Sequence, residues 1–211
     1  MTRILIIGAH GQIARVATQL FLERQDTDLT LYLRKSARLK SLAQHPRVRI
    51  VEGDALDPAA LAAAMQDQDV VYANLAGSME QQARHIVDAM RKTGLRRLIF
   101  IASMGIYEEV PGQRYQSALD PYRKAAAVVE ASGLDYTILR PAWLNDRDEI
   151  AYGTTQKDEA FRAADETVSR KSVADMVVRL ATTAGLEIGR SVGMHHDADQ
   201  VHRLLIGKQP Q

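Results

Sequence analysis

The residues of this chain best suited to chemistry are two glycines, a serine, a lysine and a few tyrosines, and their spacing says what that chemistry could be. Gly8 and Gly11 sit in RILIIGAHGQIA, Arg3 to Ala14, between a run of aliphatic residues and a stretch of helical periodicity. With no Cβ at either position an anion can approach the backbone closely. The free N–H groups and positive dipole end of a following helix would point at it. A pyrophosphate resting on Gly8, His10, Gly11, Gln12 and Ile13 fits that arrangement. Further along, Ser103 and Tyr107 in ASMGIY offer a hydroxyl and a phenol, and Lys124 offers an ammonium. Such groups can bind or protonate the oxygen of a reacting carbonyl.

Hydrophobic periodicity supplies the elements that must hold these groups. Ile4–Ile7 reads as a strand buried on both faces, as in a parallel sheet covered by helices. Ile13, Ala14, Ala17, Leu20 and Phe21 then recur at helical spacing, which predicts a helix from about Gln12 to Arg24. Further strands are expected over Leu29–Leu33, Arg47–Val51, Asp69–Ala73, Arg97–Ala102, Asp135–Leu139 and Arg190–Met194. Helices are expected over about 59–66, 79–93 and 122–131, before Thr183, and at the close of the chain after Asp197. Asp57-Pro58 and Asp120-Pro121 both read as a helix N-cap followed by proline at the first helical position. Gly94 is the expected C-cap of the helix before it.

Composition excludes several function classes. A chain of 211 residues, 46% hydrophobic and 25% charged, can bury the core of one large domain. A formal net charge of +1, with basic residues spread along the chain, argues against a nucleic-acid partner. The absence of cysteine removes disulfides, thiolate chemistry and Cys-based metal sites, and fits a reducing cytoplasm. His195, His196 and His202 lack neighbours of ligand geometry and read as surface residues, so no metal is expected. No apolar run reaches membrane-spanning length, and Met1-Thr2-Arg3 leads directly into the first strand, so neither membrane nor leader is expected. The expected partner is a small-molecule substrate in the cytoplasm; assembly into an oligomer is left open.

An N-terminal hydrophobic strand running into GAHGQIA resembles the atypical short-chain dehydrogenase/reductase family of NAD(P)H-binding proteins, the NmrA-like and flavin-reductase-like group. The usual family form is GATGxxG or GAxGxxA. VEGDALDPAAL is similar to the family's GDxxD region, and SGLDYTILRPAWL to its recurrent sgLdyTilRP segment. The resemblance covers nearly the whole chain and is strongest over residues 1–145. It implies a single α/β domain over 1–211, a doubly wound Rossmann-type fold with a mainly parallel sheet and helices on both faces. It also implies adenine beside Asp54 and Ala55, ribose and pyrophosphate passing Asn74, Leu75 and Ala76, a nicotinamide bordered by Pro141 and Ala142, and Ser103 as the catalytic serine.

Basic residues just past the second strand suit a 2′-phosphate, whereas an acid there would suit a free ribose hydroxyl. Asp26 and Asp28 precede that strand, but Arg34 and Lys35 follow it, so the cofactor reads as NADP(H). Catalysis departs from the family pattern. The position four before Lys124, where the family has tyrosine, is Asp120, and Tyr122 stands about 200° around a helix from Lys124. Lys124 is left to hold the nicotinamide ribose, and Tyr107, then Tyr122, then Tyr115 are the candidate proton donors. Segments 104–119 and 142–166 are the expected substrate side, the first as a flap, with Trp143 either lining a pocket or packed. The function implied is an NADPH-dependent reductase of a quinone, flavin-like ring or carbonyl. A non-catalytic NADP(H)-sensing regulatory protein is the alternative.

Overall fold

A computed structural model of the chain describes residues 1–112, 114–161 and 167–197. Successive side chains of a strand point to opposite faces. In β1 (Thr2–Ile7), Ile4 and Ile6 enter one hydrophobic core while Leu5 and Ile7 enter another. All four are at most 1% exposed, so helices cover the sheet on both sides. The chain continues through α1 (Gln12–Glu23), β2 (Thr27–Leu33), a 3-10 segment (Ser36–Leu42), β3 (Val48–Glu52), α2 (Pro58–Ala64), β4 (Val70–Ala73) and α3 (Met79–Thr93). It then forms β5 (Arg97–Ile101), α4 (Asp120–Glu130), β6 (Asp135–Pro141), β7 (Trp143–Asn145), β8 (Gly153–Thr155), β9 (Thr167–Ser169), α5 (Arg170–Thr182) and β10 (Arg190–His195).

The main sheet has eight strands in the order β3-β2-β1-β4-β5-β6-β10-β8, and only the β10–β8 pairing is antiparallel. One core lies under α1 and α5, the other under α2, α3 and α4. This is the doubly wound α/β fold expected from the sequence. Strand order reverses between β1 and β4, where Ile7 stands beside Ala73 in register. A crevice opens at such a switch point, outside the carboxyl ends of the strands.

Local chemistry closes the elements. The Asp57 carboxylate accepts from the Ala59 and Ala60 N–H groups at 2.9 and 3.0 Å and caps α2, and Gly94, at φ 74°, ends α3. Asp120 departs from its expected role: it is the first residue of α4 and makes no cap bond. Its carboxylate instead takes Arg123 at 2.8 Å and lies 2.6 and 2.7 Å from the Tyr115 hydroxyl. A charged partner and a phenol satisfy those oxygens better than one backbone N–H would.

Two other expectations are corrected. His195 is a buried strand residue, 7% exposed, because β10 pairs along the sheet through that position. Segment 146–165, read as irregular, adds β8 to the sheet and buries Ala151, Tyr152 and Phe161. Beside it β7 and β9 form a separate parallel pair. The closing helix and His202 fall outside the described residues. Among the described residues, no helix is long and apolar enough to cross a membrane, and no cluster of three or more His, Asp or Glu could hold a metal ion.

Candidate active site

The glycine turn is built by two neighbouring strand ends. Gly8 follows β1 with φ 78°, and its N–H donates to the Tyr32 carbonyl at 3.0 Å. The Gly11 N–H donates back to the Gly8 carbonyl at 2.8 Å, so α1 starts at the next residue. Asn74, just past β4, donates its N–H to the Ile7 carbonyl at 2.9 Å and lies across the turn. A Cβ on Gly8 would stand 2.1 Å from the Asn74 carbonyl oxygen, and one on Gly11 1.8 Å from the Asn74 side-chain nitrogen. The Asn74 backbone therefore requires glycine at position 8, while at Gly11 the obstacle is the movable end of the Asn74 side chain.

A cavity of about 590 Å³ opens on this turn. Gly8, His10 and Gly11 line it from the turn, Arg34, Lys35 and Arg38 from the segment after β2, Asp54 and Ala55 from the end of β3, and Asn74, Leu75 and Ala76 from the end of β4. Gln82 on α3 completes it. Arg34, Lys35 and Arg38 make no ion pair among the described residues, so three cations line the space against the single carboxylate of Asp54. The Tyr32 ring lies where a Cβ on Gly53 would be, 2.4 Å from its hydroxyl oxygen. That hydroxyl donates to the Asp54 carbonyl at 2.8 Å; burial, with the charges of Asp57 and Asp54, pushes the phenol up to about 12. It stays a neutral donor and fixes the Asp54 turn. Gln12 and Ile13 do not line the cavity: Ile13 is packed in the core, and the Gln12 side chain accepts from Arg170 Nε at 3.0 Å.

The turn without Cβ atoms fits a pyrophosphate, and the three cations beside it fit a further phosphate. A family model for NAD(P)H-binding proteins matches residues 8–184. The chain belongs to that NAD(P)H-binding family. The group it resembles includes solved short-chain dehydrogenases/reductases. The chain is similar to a Rossmann-fold NAD(P)-binding family protein from Shigella flexneri, at 40% identity over 94% of this chain and 95% of that one, with a TM-score of 0.82. A short-chain dehydrogenase/reductase from Veillonella parvula DSM 2008, solved in complex with NADP, is 28% identical over 93% of this chain and 95% of that one, with a TM-score of 0.85. In sequence, the chain is 27% identical over 191 residues to the uncharacterized sugar epimerase YhfK of Bacillus subtilis (strain 168), across 83% of this chain and 86% of that one.

A second cavity, about 340 Å³, lies at the carboxyl ends of β5 and β6. Ser103, Tyr122, Pro141, Ala142, Trp143 and Arg170 line it, and Trp143 is 64% exposed. Lys124 is elsewhere, in a cavity of about 480 Å³ shared with Asp120 and the first turn of α3. Tyr107 lines neither. Its hydroxyl lies 2.8 Å from Glu130 Oε1 and 3.1 Å from Ser191 Oγ, and Lys157 sits over its ring. Burial raises the phenol well above its ordinary value. Ser103, Lys124 and Tyr107, the three expected catalytic groups, are thus not brought together, and the tyrosine that lines a cavity with Ser103 is Tyr122.

Tyr107 turns inward because of a residue that the sequence reading left without a role. The Glu109 carboxylate accepts from the Gly105 N–H at 3.0 Å and the Tyr107 N–H at 2.9 Å, and pairs with Arg140 Nη1. Both side chains of that pair are buried, Arg140 completely. Arg140 also donates through Nε to Ser191 Oγ at 3.1 Å and through Nη2 to the Ser191 carbonyl at 3.2 Å. The pair joins the turn after Ser103 to the residue before Pro141. Segment 104–119, expected as a flap, is anchored there by a buried charge.

Proposed function

We propose that this protein is an NADPH-dependent reductase of a small organic acceptor, a quinone, a flavin-like ring or a carbonyl. The observation that carries the reading is the pairing of two cavities at the carboxyl ends of the strands, one with the glycine turn and three cations, the other with Ser103, Tyr122 and Pro141. When bound, NADPH supplies the hydride. Gly8, Gly11 and Asn74 shape the backbone against its pyrophosphate, while Arg34 and Lys35, joined by Arg38, hold the 2′-phosphate. Pro141 and Ala142 border the nicotinamide side, and Trp143 offers a flat apolar face to a planar acceptor.

The 2′-phosphate assignment predicts that Arg34→Ala/Lys35→Ala lowers NADP(H) affinity by about 10²-fold or more, since each charge-assisted contact contributes about 1.5–3 kcal/mol. NAD(H) affinity should change only a few fold. Calorimetric titration of both nucleotides checks this, and equal losses for the two would remove the assignment.

A quinone or flavin can take its proton from water after hydride arrival, whereas a ketone gains about 10²–10⁴-fold from a positioned acid. The expected result is NADPH consumption with quinones or flavins that Tyr122→Phe slows by less than a few fold. A loss on the general-acid scale would instead make Tyr122 the proton donor of a carbonyl reductase. The separation of Lys124 from Ser103, and Asp120 held by Tyr115 and Arg123, favour a second reading, a non-catalytic NADP(H)-sensing protein. Tight cofactor binding without turnover of any quinone, flavin or aldehyde would select it. The same missing tyrosine–lysine pair weighs against the sugar epimerase reading that the name of the Bacillus relative suggests.

A further inference from the structure

Among the described residues that line the cavity at the carboxyl ends of β5 and β6, Arg170 is the one that carries a charge. It is the first residue of α5 and Lys171 follows it, so the first turn of that helix holds two cations and no acid. The positive end of a helix dipole disfavours cations there. Nor does the helix need them as a cap, because Ser169 Oγ accepts from the Ser172 N–H at 2.9 Å. Arg170 therefore stands where local preference would not put it, with a side chain only 16% exposed.

Its bonds fix the guanidinium without using it up. Nε donates to Gln12 Oε1 at 3.0 Å, which ties it to the first residue of α1, and Nη1 donates to Asp146 Oδ1 at 2.8 Å. The Asp146 side chain is 87% exposed, so water screens that pair and a ligand can displace it. Nη2 has no hydrogen-bond partner among the described residues. Lys171 is matched by Asp148 at 2.6 Å, and neither lines the cavity. A planar guanidinium holds a carboxylate through two parallel N–H bonds. The rest of the lining suits the body of a flat molecule, with Met104, Leu119 and Leu144 apolar and Trp143 adding a ring. We propose that the acceptor is a planar acid, whose carboxylate takes Nη2 of Arg170 and displaces Asp146 from Nη1 while its ring lies against Trp143. This specificity presupposes the reductase reading and names the class of its acceptor.

Trp143 is the single tryptophan of the chain, so quenching of its fluorescence reports binding in this cavity. The test titrates NADP⁺-saturated protein, which has no hydride to give, with anthraquinone-2-carboxylate and with the uncharged anthraquinone-2-carboxamide. Wild type should bind the acid about tenfold or more tightly than the amide. Arg170→Gln should bring the two within about twofold, chiefly by weakening the acid. Asp146→Asn should tighten the acid alone by about two- to fivefold, because it removes an exposed competitor for Nη1, a gain that a merely structural Arg170 would not give. Calorimetric NADP⁺ affinity without quinone should change by less than about threefold in Arg170→Gln. Wild type binding the two quinones equally or binding neither, Arg170→Gln keeping the preference, Asp146→Asn leaving the acid no tighter, or Arg170→Gln weakening NADP⁺ as much as the acid would each overturn the proposal. NADPH consumption with uncharged quinones tests the reductase reading separately, since it needs no carboxylate.

Discussion

Gly11→Val is expected to abolish NADP(H) binding with the fold retained, whereas Gly8→Ala should damage the fold itself. The two glycines meet different parts of the same residue. At Gly11 the backbone is ordinary, φ −59° and ψ 153°, and an added Cβ would strike only the side-chain nitrogen of Asn74. That side chain can swing away, but valine's methyls would still add bulk at a residue that lines the cavity. Loss of two or three charge-assisted contacts to a pyrophosphate costs about 4 kcal/mol, or about 10³-fold in affinity.

At Gly8 the conformation is left-handed and the obstacle is the carbonyl of Asn74, a residue held at the strand end by its N–H donating to the Ile7 carbonyl. A side chain there costs about 1–2 kcal/mol for the left-handed backbone and about 1–3 kcal/mol more for displacing its neighbour. The melting temperature should fall by about 2–4 °C per kcal/mol. Thermal melts and cofactor titrations of both variants separate the two effects. NADP(H) affinity in Gly11→Val within tenfold of wild type would remove the pyrophosphate from this turn.

Glu109→Gln is expected to destabilise the protein by about 3–5 kcal/mol, because it leaves the fully buried Arg140 guanidinium without its counter-charge. Replacing both partners with apolar residues, Glu109→Leu/Arg140→Met, should cost less than the single change, since no charge is then left stranded. Glu108→Gln, at an exposed position one residue away, should stay within about 0.5 kcal/mol of wild type. Chemical denaturation of the variants measures each value. A Glu109→Gln protein as stable as wild type would mean that the pair does not hold the turn after Ser103. Because Gly105, Tyr107 and Pro141 all hang on this pair, the stable double variant should also bind acceptors more weakly than wild type.

The sheet, its parallel direction and the cofactor crevice were legible in the sequence because the signals are local. A run such as Ile4–Ile7 buried on both faces, a glycine turn and a helical stripe need only a few consecutive residues to declare themselves. The bounds of α3, the Asp57 cap and the Gly94 stop were readable for the same reason. So were Arg34 and Lys35, whose position past β2 puts them at the cofactor end of the sheet.

Tertiary structure decided what depends on residues far apart in the chain. The necessity of Gly8 comes from the Asn74 backbone, more than sixty residues away, and cannot be seen in the turn itself. Tyr107 looked like a proton donor by its distance from Ser103, yet Glu109, Glu130 and Ser191 draw it away from that cavity. Tyr122, on the helix that follows, lines the same cavity as Ser103, while the turn of that helix sends Lys124 to another cavity. Segment 146–161 carries too few apolar residues in period to announce a strand, but β10 offers β8 an edge to pair with. Backbone pairing and buried charge then settle what side-chain pattern leaves open, since both depend on partners that only the folded chain brings within a few ångströms.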